Sequence, residues 1–253
     1  MGRFTSCVPI LVAAIALLAA DCGHAQTDPD DQEIGRLRYD YQRGIGERMR
    51  VFSTVSYEQQ LEPDDVLGDR KKSILKGGVS YNSKEWLRLE AGVGTYYSWR
   101  DDVDDLFEVR LWQAATFDWP EVRALARWVV HHRFMLEERF QHSDDWDTSF
   151  RGRYRLSFTI PINRYTIEPG AFYMPLDGEL FWDITGDRGE LFANRYKVSA
   201  GLGLQFSKGW AVEARYMWQE SRDTVTEKFS VGDDIIELRI KSTLRIVDYL
   251  KSR

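Results

Sequence analysis

Residues 150–158 read FRGRYRLSF. Arg151, Arg153 and Arg155 take every second place, and Phe150, Tyr154, Leu156 and Phe158 take most of the others. Successive side chains of a β-strand point to opposite faces, so this stretch sets guanidinium groups on one side and rings and aliphatics on the other. The same period of two returns along the chain, and helical periodicity is scarce. Leu87, Leu89, Ala91 and Val93 alternate with Arg88, Glu90, Gly92 and Gly94. Val198, Ala200, Leu202 and Leu204 alternate with Lys197, Ser199, Gly201 and Gly203.

A soluble β-sandwich also alternates, but it turns its apolar face inward and leaves a mixed polar face in water. Here the polar face is dominated by arginine and glutamate, with glycine and serine, and aromatics gather near strand ends on the apolar face. That pattern fits a membrane barrel, with an apolar band and aromatic girdles outside and a polar lumen. An arginine facing lipid at mid-depth costs roughly 2–4 kcal/mol, so Arg151, Arg153 and Arg155 must point inward. Runs such as 85–99 and 106–119 reach or pass the roughly nine to eleven residues that a tilted strand needs to cross a bilayer.

The predicted fold is therefore all-β: an antiparallel up-and-down transmembrane β-barrel of about ten strands. They fall at about 47–60, 73–82, 85–99, 106–119, 124–141, 147–161, 163–174, 191–207, 209–222 and 233–247. Tight turns are expected near 82–84, 119–121, 162–164 and 207–209, with longer loops near 61–72, 100–105, 142–147, 175–190 and 222–233. Short turns then share one end of the barrel with both termini, as in outer-membrane barrels. Segment 34–43 alternates as well, yet an eleventh strand breaks the even count of bacterial barrels. It is expected outside the wall, or matched by a twelfth strand at 178–185.

The first residues read differently. Met1-Gly2-Arg3 carries a positive charge, Val8 to Ala20 is an apolar core, and Gly23-His24-Ala25 supplies small residues for cleavage before Gln26. This predicts a secretory signal peptide over 1–25. An N-terminal segment at 26–46 and a barrel domain at 47–250 would follow. Both cysteines, Cys7 and Cys22, lie in the leader, so an exported chain would need something other than disulfides for stability. A closed hydrogen-bonded barrel supplies it.

The 253 residues carry a net charge of −6, but the expected strands divide it unevenly. About sixteen basic residues point inward against about seven acidic, and the long loops are acidic. The candidate lumen residues, which would also be an anion-binding set, are Glu108, Arg110, His131, Arg133, Glu137, Arg139, Arg151, Arg153, Arg155, Arg195, Lys197, Glu213, Arg215, Glu237 and Arg239. Two readings follow. Glu90, Glu108, Glu137, Glu213 and Glu237 pair with arginines on neighbouring strands and fill a narrow barrel. Alternatively the basic surplus binds or conducts a small anionic solute, since rings of Arg and Lys line anion pores. Acidic runs such as 101–105 and 143–147 would be solvated loops or cation-binding surfaces.

Catalytic signals are thin. His131 and His132 point to opposite faces and cannot share a metal. His131 could act as a general base, but no G-x-S-x-G motif supplies a nucleophile. No metal site, cofactor motif or nucleic-acid signature is present. A surface-binding or lipid-modifying barrel and a soluble periplasmic β-sandwich stand as the alternatives.

Four stretches carry a resemblance. They are Glu108-Val109-Arg110-Leu111-Trp112-Gln113, Arg133 to Arg139, Arg151-Gly152-Arg153-Tyr154-Arg155, and Asn194-Arg195-Tyr196 with Gly201-Leu202-Gly203. In order and spacing the chain resembles an uncharacterised family of Gram-negative outer-membrane barrels, domain of unknown function 2490. Met135 departs from it where the family has arginine. The resemblance implies localisation in the outer membrane of a Gram-negative bacterium, with outer-membrane lipids and the barrel-assembly machinery as partners. It brings no substrate and no catalytic residues. Many such barrels end on an aromatic residue, whereas this chain ends Asp248-Tyr249-Leu250-Lys251-Ser252-Arg253, which leaves Tyr249 for that role.

Overall fold

The computed structural model describes residues 32–61, 70–100, 103–119, 128–143, 145–185, 195–222 and 229–244. They form eleven strands: β1 (Gln32–Gly44), β2 (Met49–Leu61), β3 (Lys71–Lys84), β4 (Leu87–Arg100), β5 (Val103–Asp118), β6 (Val129–His142), β7 (Trp146–Pro161), β8 (Ala171–Asp183), β9 (Arg195–Ser207), β10 (Trp210–Arg222) and β11 (Phe229–Leu244). Each strand pairs with its sequence neighbours, and the sheet closes on itself in the order β1-β11-β10-β9-β8-β7-β6-β5-β4-β3-β2. The closed ladder excludes the β-sandwich.

The strand count corrects the sequence-based expectation of ten, and of twelve. Segment 34–43 is part of β1 and stands in the wall, antiparallel to β2 and parallel to β11. An up-and-down chain reverses at every turn, so with an odd number the first and last strands run the same way and their junction must be parallel. A parallel ladder is slightly weaker per residue, but it satisfies the backbone groups of both edges. The pairing is continuous, from Gln32 opposite Asp233 to Arg43 opposite Leu244.

The expected twelfth strand does not exist either. Residues 178–183 are the second half of β8, and the strand expected at 163–174 lies instead at 171–183. A turn over 162–170 takes its place. The Asn163 side chain accepts from the Phe172 backbone N–H at 2.8 Å and donates to the Gly170 carbonyl at 3.0 Å. Gly170 sits at φ 87°, a conformation that glycine adopts at no steric cost.

Connection lengths also differ from expectation. The end carrying the connections β2–β3, β8–β9 and β10–β11 is the loop end, and the opposite one is the turn end. Between β5 and β6 the connection at the turn end spans 119–128, whereas at the loop end β4 and β5 are separated by only two residues. Arg100 still pairs with Val103 there, so Asp104 and Asp105 belong to a strand and not to a loop. Because β1 is in the wall, Gln32 lies at the loop end and Leu244 at the turn end, not together. The leader 1–25, residues 124–127 of the expected 124–141 strand and the C-terminal Tyr249 lie outside the described residues.

Polarity is inverted relative to a soluble fold. Leu37, Val55, Leu75, Val93, Leu111, Leu136, Leu180, Val198, Leu202 and Ile240 project outward, with Leu136 46% and Val198 52% exposed. Glu137, Glu213 and Glu237 are 1%, 0% and 1% exposed inside. Trp86, Trp119, Trp128, Trp146, Trp210 and Trp218 sit outside, near strand ends.

The parallel seam is testable with cysteines placed on paired outward positions. A Leu37→Cys, Leu238→Cys protein is expected to join through a short thiol cross-linker in the folded state. Leu37→Cys with Leu136→Cys, on the opposite wall, is expected not to. Cross-linking only in the second pair would mean that β1 is not where the ladder puts it.

Candidate functional site

Even-numbered residues of β1 to β5 and odd-numbered residues of β6 to β11 point into the barrel, with few departures near strand ends. Every candidate from Glu108 to Arg239 named above falls on an inward position. So do several that sequence reading passed over: Arg36, Arg38 and Asp40 of β1, Glu58 of β2, Lys72 and Lys76 of β3, and Asp177 and Glu179 of β8.

These side chains form a belt of ion pairs. Glu90 joins Arg88 at 3.3 Å and Arg133 at 2.7 Å. Glu108 takes Arg110 and Arg139, both at 2.6 Å. Glu137 takes Arg151 and Arg153, both at 2.5 Å. Glu179 takes Arg153 at 2.6 Å and Arg155 at 3.0 Å. Asp177 binds Arg215, which also donates to Ser199 Oγ at 2.7 Å. Glu213 meets Lys241 and, at 3.4 Å, Arg239. Each of the five glutamates expected to pair with arginine does so, four of them across neighbouring strands; Glu90 instead takes Arg88 of its own strand and Arg133 from β6, two strands away.

The belt crosses the parallel seam. Arg36 of β1 reaches Glu58 of β2 at 2.9 Å and Glu237 of β11 at 3.3 Å. Arg239 of β11 reaches Asp40 of β1, which Arg38 also holds at 3.0 Å. The first and last strands are thus tied by charge as well as by backbone. The sequence signal was present in the alternation of Arg36, Arg38 and Asp40, and only the parity argument set it aside.

The belt thins at β3. Lys72 and Lys76 have no ion-pair partner among the described residues, and their ammonium groups lie 5.6 and 5.1 Å from the centre of the Tyr96 ring. Arg110 stacks on the same ring at 3.6 Å. Other inward rings fill the space between charges. Trp112 packs on Phe52 with centroids 5.6 Å apart and under Arg133 at 5.3 Å, and Phe181 lies 4.8 Å from Arg153. Tyr173 donates its hydroxyl to Glu213 at 2.9 Å. Glycines opposite these rings make the room: a Cβ on Gly203 would lie 2.3 Å from Tyr173, and one on Gly92 would lie 2.5 Å from Trp112. Inward glycines were the readable trace of these rings.

His131 is at the turn end, its Nδ1 2.6 Å from Asp118 Oδ1. The register sets Ser157 directly across from it, but Ser157 gives its side-chain hydrogen bond to Asp177. Among the described residues His131 therefore makes no contact with a serine nucleophile of the kind a Ser–His hydrolase uses.

At the loop end the interior opens into a cavity of about 490 Å³, lined by Arg70, Lys72, Arg110, Arg139, Arg151 and Arg195 with Glu108 and Asp183. Between it and the turn end lies the belt.

Removing one partner from a buried pair strands the other charge, which costs about 3–5 kcal/mol. Glu137→Ala, which strands Arg151 and leaves Arg153 with Glu179 alone, is expected to lower unfolding stability by about that amount in a denaturant titration of the refolded protein. Glu168→Ala breaks the exposed Arg164–Glu168 pair and is expected to cost under about 1 kcal/mol.

No curated protein matches the chain. Among solved structures it is similar to the translocator domain of the autotransporter NalP from Neisseria meningitidis, at 12% sequence identity and a TM-score of 0.43, over 84% of this chain and 90% of that one. A family whose description is "Protein of unknown function (DUF2490)" matches residues 37–229. That match runs from β1 to the start of β11 and takes in most of the belt, and the chain belongs to this family.

Proposed function

We propose that the chain is an outer-membrane β-barrel of a Gram-negative bacterium, exported by the leader over 1–25, whose interior is held shut by ion pairs. It works as a closed structural barrel and not as a standing pore. The inverted polarity carries this reading. A surface of Leu, Val, Ile and rings around an interior of buried, paired carboxylates is unfavourable in water and favourable in lipid. Strands of thirteen to sixteen residues exceed the roughly nine to eleven needed to span a bilayer. Short turns between β1 and β2, β3 and β4, and β9 and β10 support a periplasmic turn end and an external loop end. The barrel-assembly machinery and outer-membrane lipids are then its partners.

A second reading is a narrow anion-favouring channel. It draws on Lys72, Lys76 and Lys197, which have no ion-pair partner among the described residues. The closed reading is preferred because Glu137 and Glu213, at mid-depth, are almost fully buried and each is shared between two cations. The lipid-modifying alternative finds no support at His131. The surface-binding alternative rests on acidic loops that lie largely outside the described residues.

Two measurements test this. A spin label at Val198 is expected to be more accessible to oxygen than to a water-soluble nickel complex, and one at Lys197 the reverse; swapped accessibilities would turn the barrel inside out. In planar bilayers the reconstituted protein is expected to show no standing conductance. Steady anion-selective steps would replace the closed barrel by the channel.

A further inference from the structure

We propose that the loop-end cavity is a binding site for a phosphate-type oligoanion. The proposal rests on the reading of the barrel as closed at mid-depth, which makes this cavity a cup. Six cationic side chains line it, Arg70, Lys72, Arg110, Arg139, Arg151 and Arg195, against the carboxylates Glu108 and Asp183. Glu108 is already shared by Arg110 and Arg139, and Arg151 shares Glu137 with Arg153. Arg70 reaches Asp233 at 3.9 Å, so the lining cations draw on carboxylates beyond the cup's own two, and the lining itself is predominantly basic, inside walls of low dielectric, which focus the field on an incoming anion.

Two donors on the cup point to the same conclusion. Lys72 stands opposite Glu58 in the register, yet its ammonium makes no ion pair or hydrogen bond among the described residues and lies 5.6 Å from the centre of the Tyr96 ring. Arg110 is 8% exposed, and among the described residues its buried Nε has no hydrogen-bond partner. A charged donor without an acceptor is costly, and an oxyanion in the cup supplies one to Lys72. Guanidinium forks with a lysine point charge suit phosphate oxygens. A volume of about 490 Å³ is within the usual range for small-molecule sites and admits a diphosphate or a phosphorylated sugar. With the loop end outward, such a group arrives either as free oligophosphate or as the phosphorylated headgroup of an outer-leaflet glycolipid.

The test is calorimetric titration of the full chain, refolded in a non-ionic detergent at low salt, with two probes. One is inorganic pyrophosphate and the other a deacylated phosphorylated glucosamine disaccharide. One-to-one binding of either is expected, weakened by about tenfold or more in Lys72→Gln and restored in Lys72→Arg. Lys72 makes no ion pair, so neither variant strands a carboxylate. Lys84→Gln, at the turn end, is expected to leave binding unchanged. Tighter binding of the disaccharide assigns the lipid headgroup as the source, and equal or tighter binding of pyrophosphate assigns the free anion. No heat from either probe at about 10 mM, or binding that Lys72→Gln leaves intact, would overturn the site. Conductance in bilayers with binding retained would instead overturn the closed barrel alone.

Discussion

Shared carboxylates hold this barrel's interior together. An arginine inside a protein must keep its charge, because its pKa lies far above neutrality, and an unpaired charge there is expensive. Glu108, Glu137 and Glu179 each accept two guanidinium groups, and Arg153 in turn bridges Glu137 and Glu179. Bidentate and bridging pairs of this kind are strong and directional. They bind side chains from different strands at fixed separations, so the register of each strand constrains its neighbours. The belt is a specificity device as much as a stabilising one: a one-residue slip of any strand would turn its charges outward and its leucines inward.

The parallel seam follows from the same logic. An odd strand count leaves first and last strands co-directional, and backbone pairing alone would close them at some loss per residue. Arg36, Asp40, Glu237 and Arg239 add cross-seam contacts at the junction where the ladder is weakest. The even-count rule for bacterial barrels describes chains that close antiparallel; it carries no physical prohibition against a parallel closure in which every edge group is paired.

A narrow barrel filled by charges alone would leave gaps that planar ion pairs cannot close. The inward rings of Tyr96, Trp112, Tyr173 and Phe181 fill them and take cations on their faces. Their bulk is admitted by glycine on adjacent strands, as at Gly92 and Gly203. The result is an interior that is dense around the belt and opens toward the loop end, where the described lining holds more cations than carboxylates.

The alternation of Arg151, Arg153 and Arg155 with rings and leucines was enough to assign strands, faces and the inversion of polarity, because side-chain direction in a strand is a local property with a period of two. The pairing of Glu90, Glu108, Glu137, Glu213 and Glu237 with arginine was legible for the same reason, since inward charges in a narrow tube have nowhere else to go. Strand number, the parallel seam and the shift of β8 to 171–183 were not. Segment 34–43 had the pattern of a strand, but whether it enters the wall depends on how the two ends of the sheet meet, and those ends lie almost the whole chain apart. Asp177 and Glu179 looked like loop and spare strand until the Asn163 turn displaced β8. Sequence by itself determined which side of each strand is charged; only closure of the sheet decided which charges meet, because partner identity is set by register and circumference, quantities that no local pattern contains.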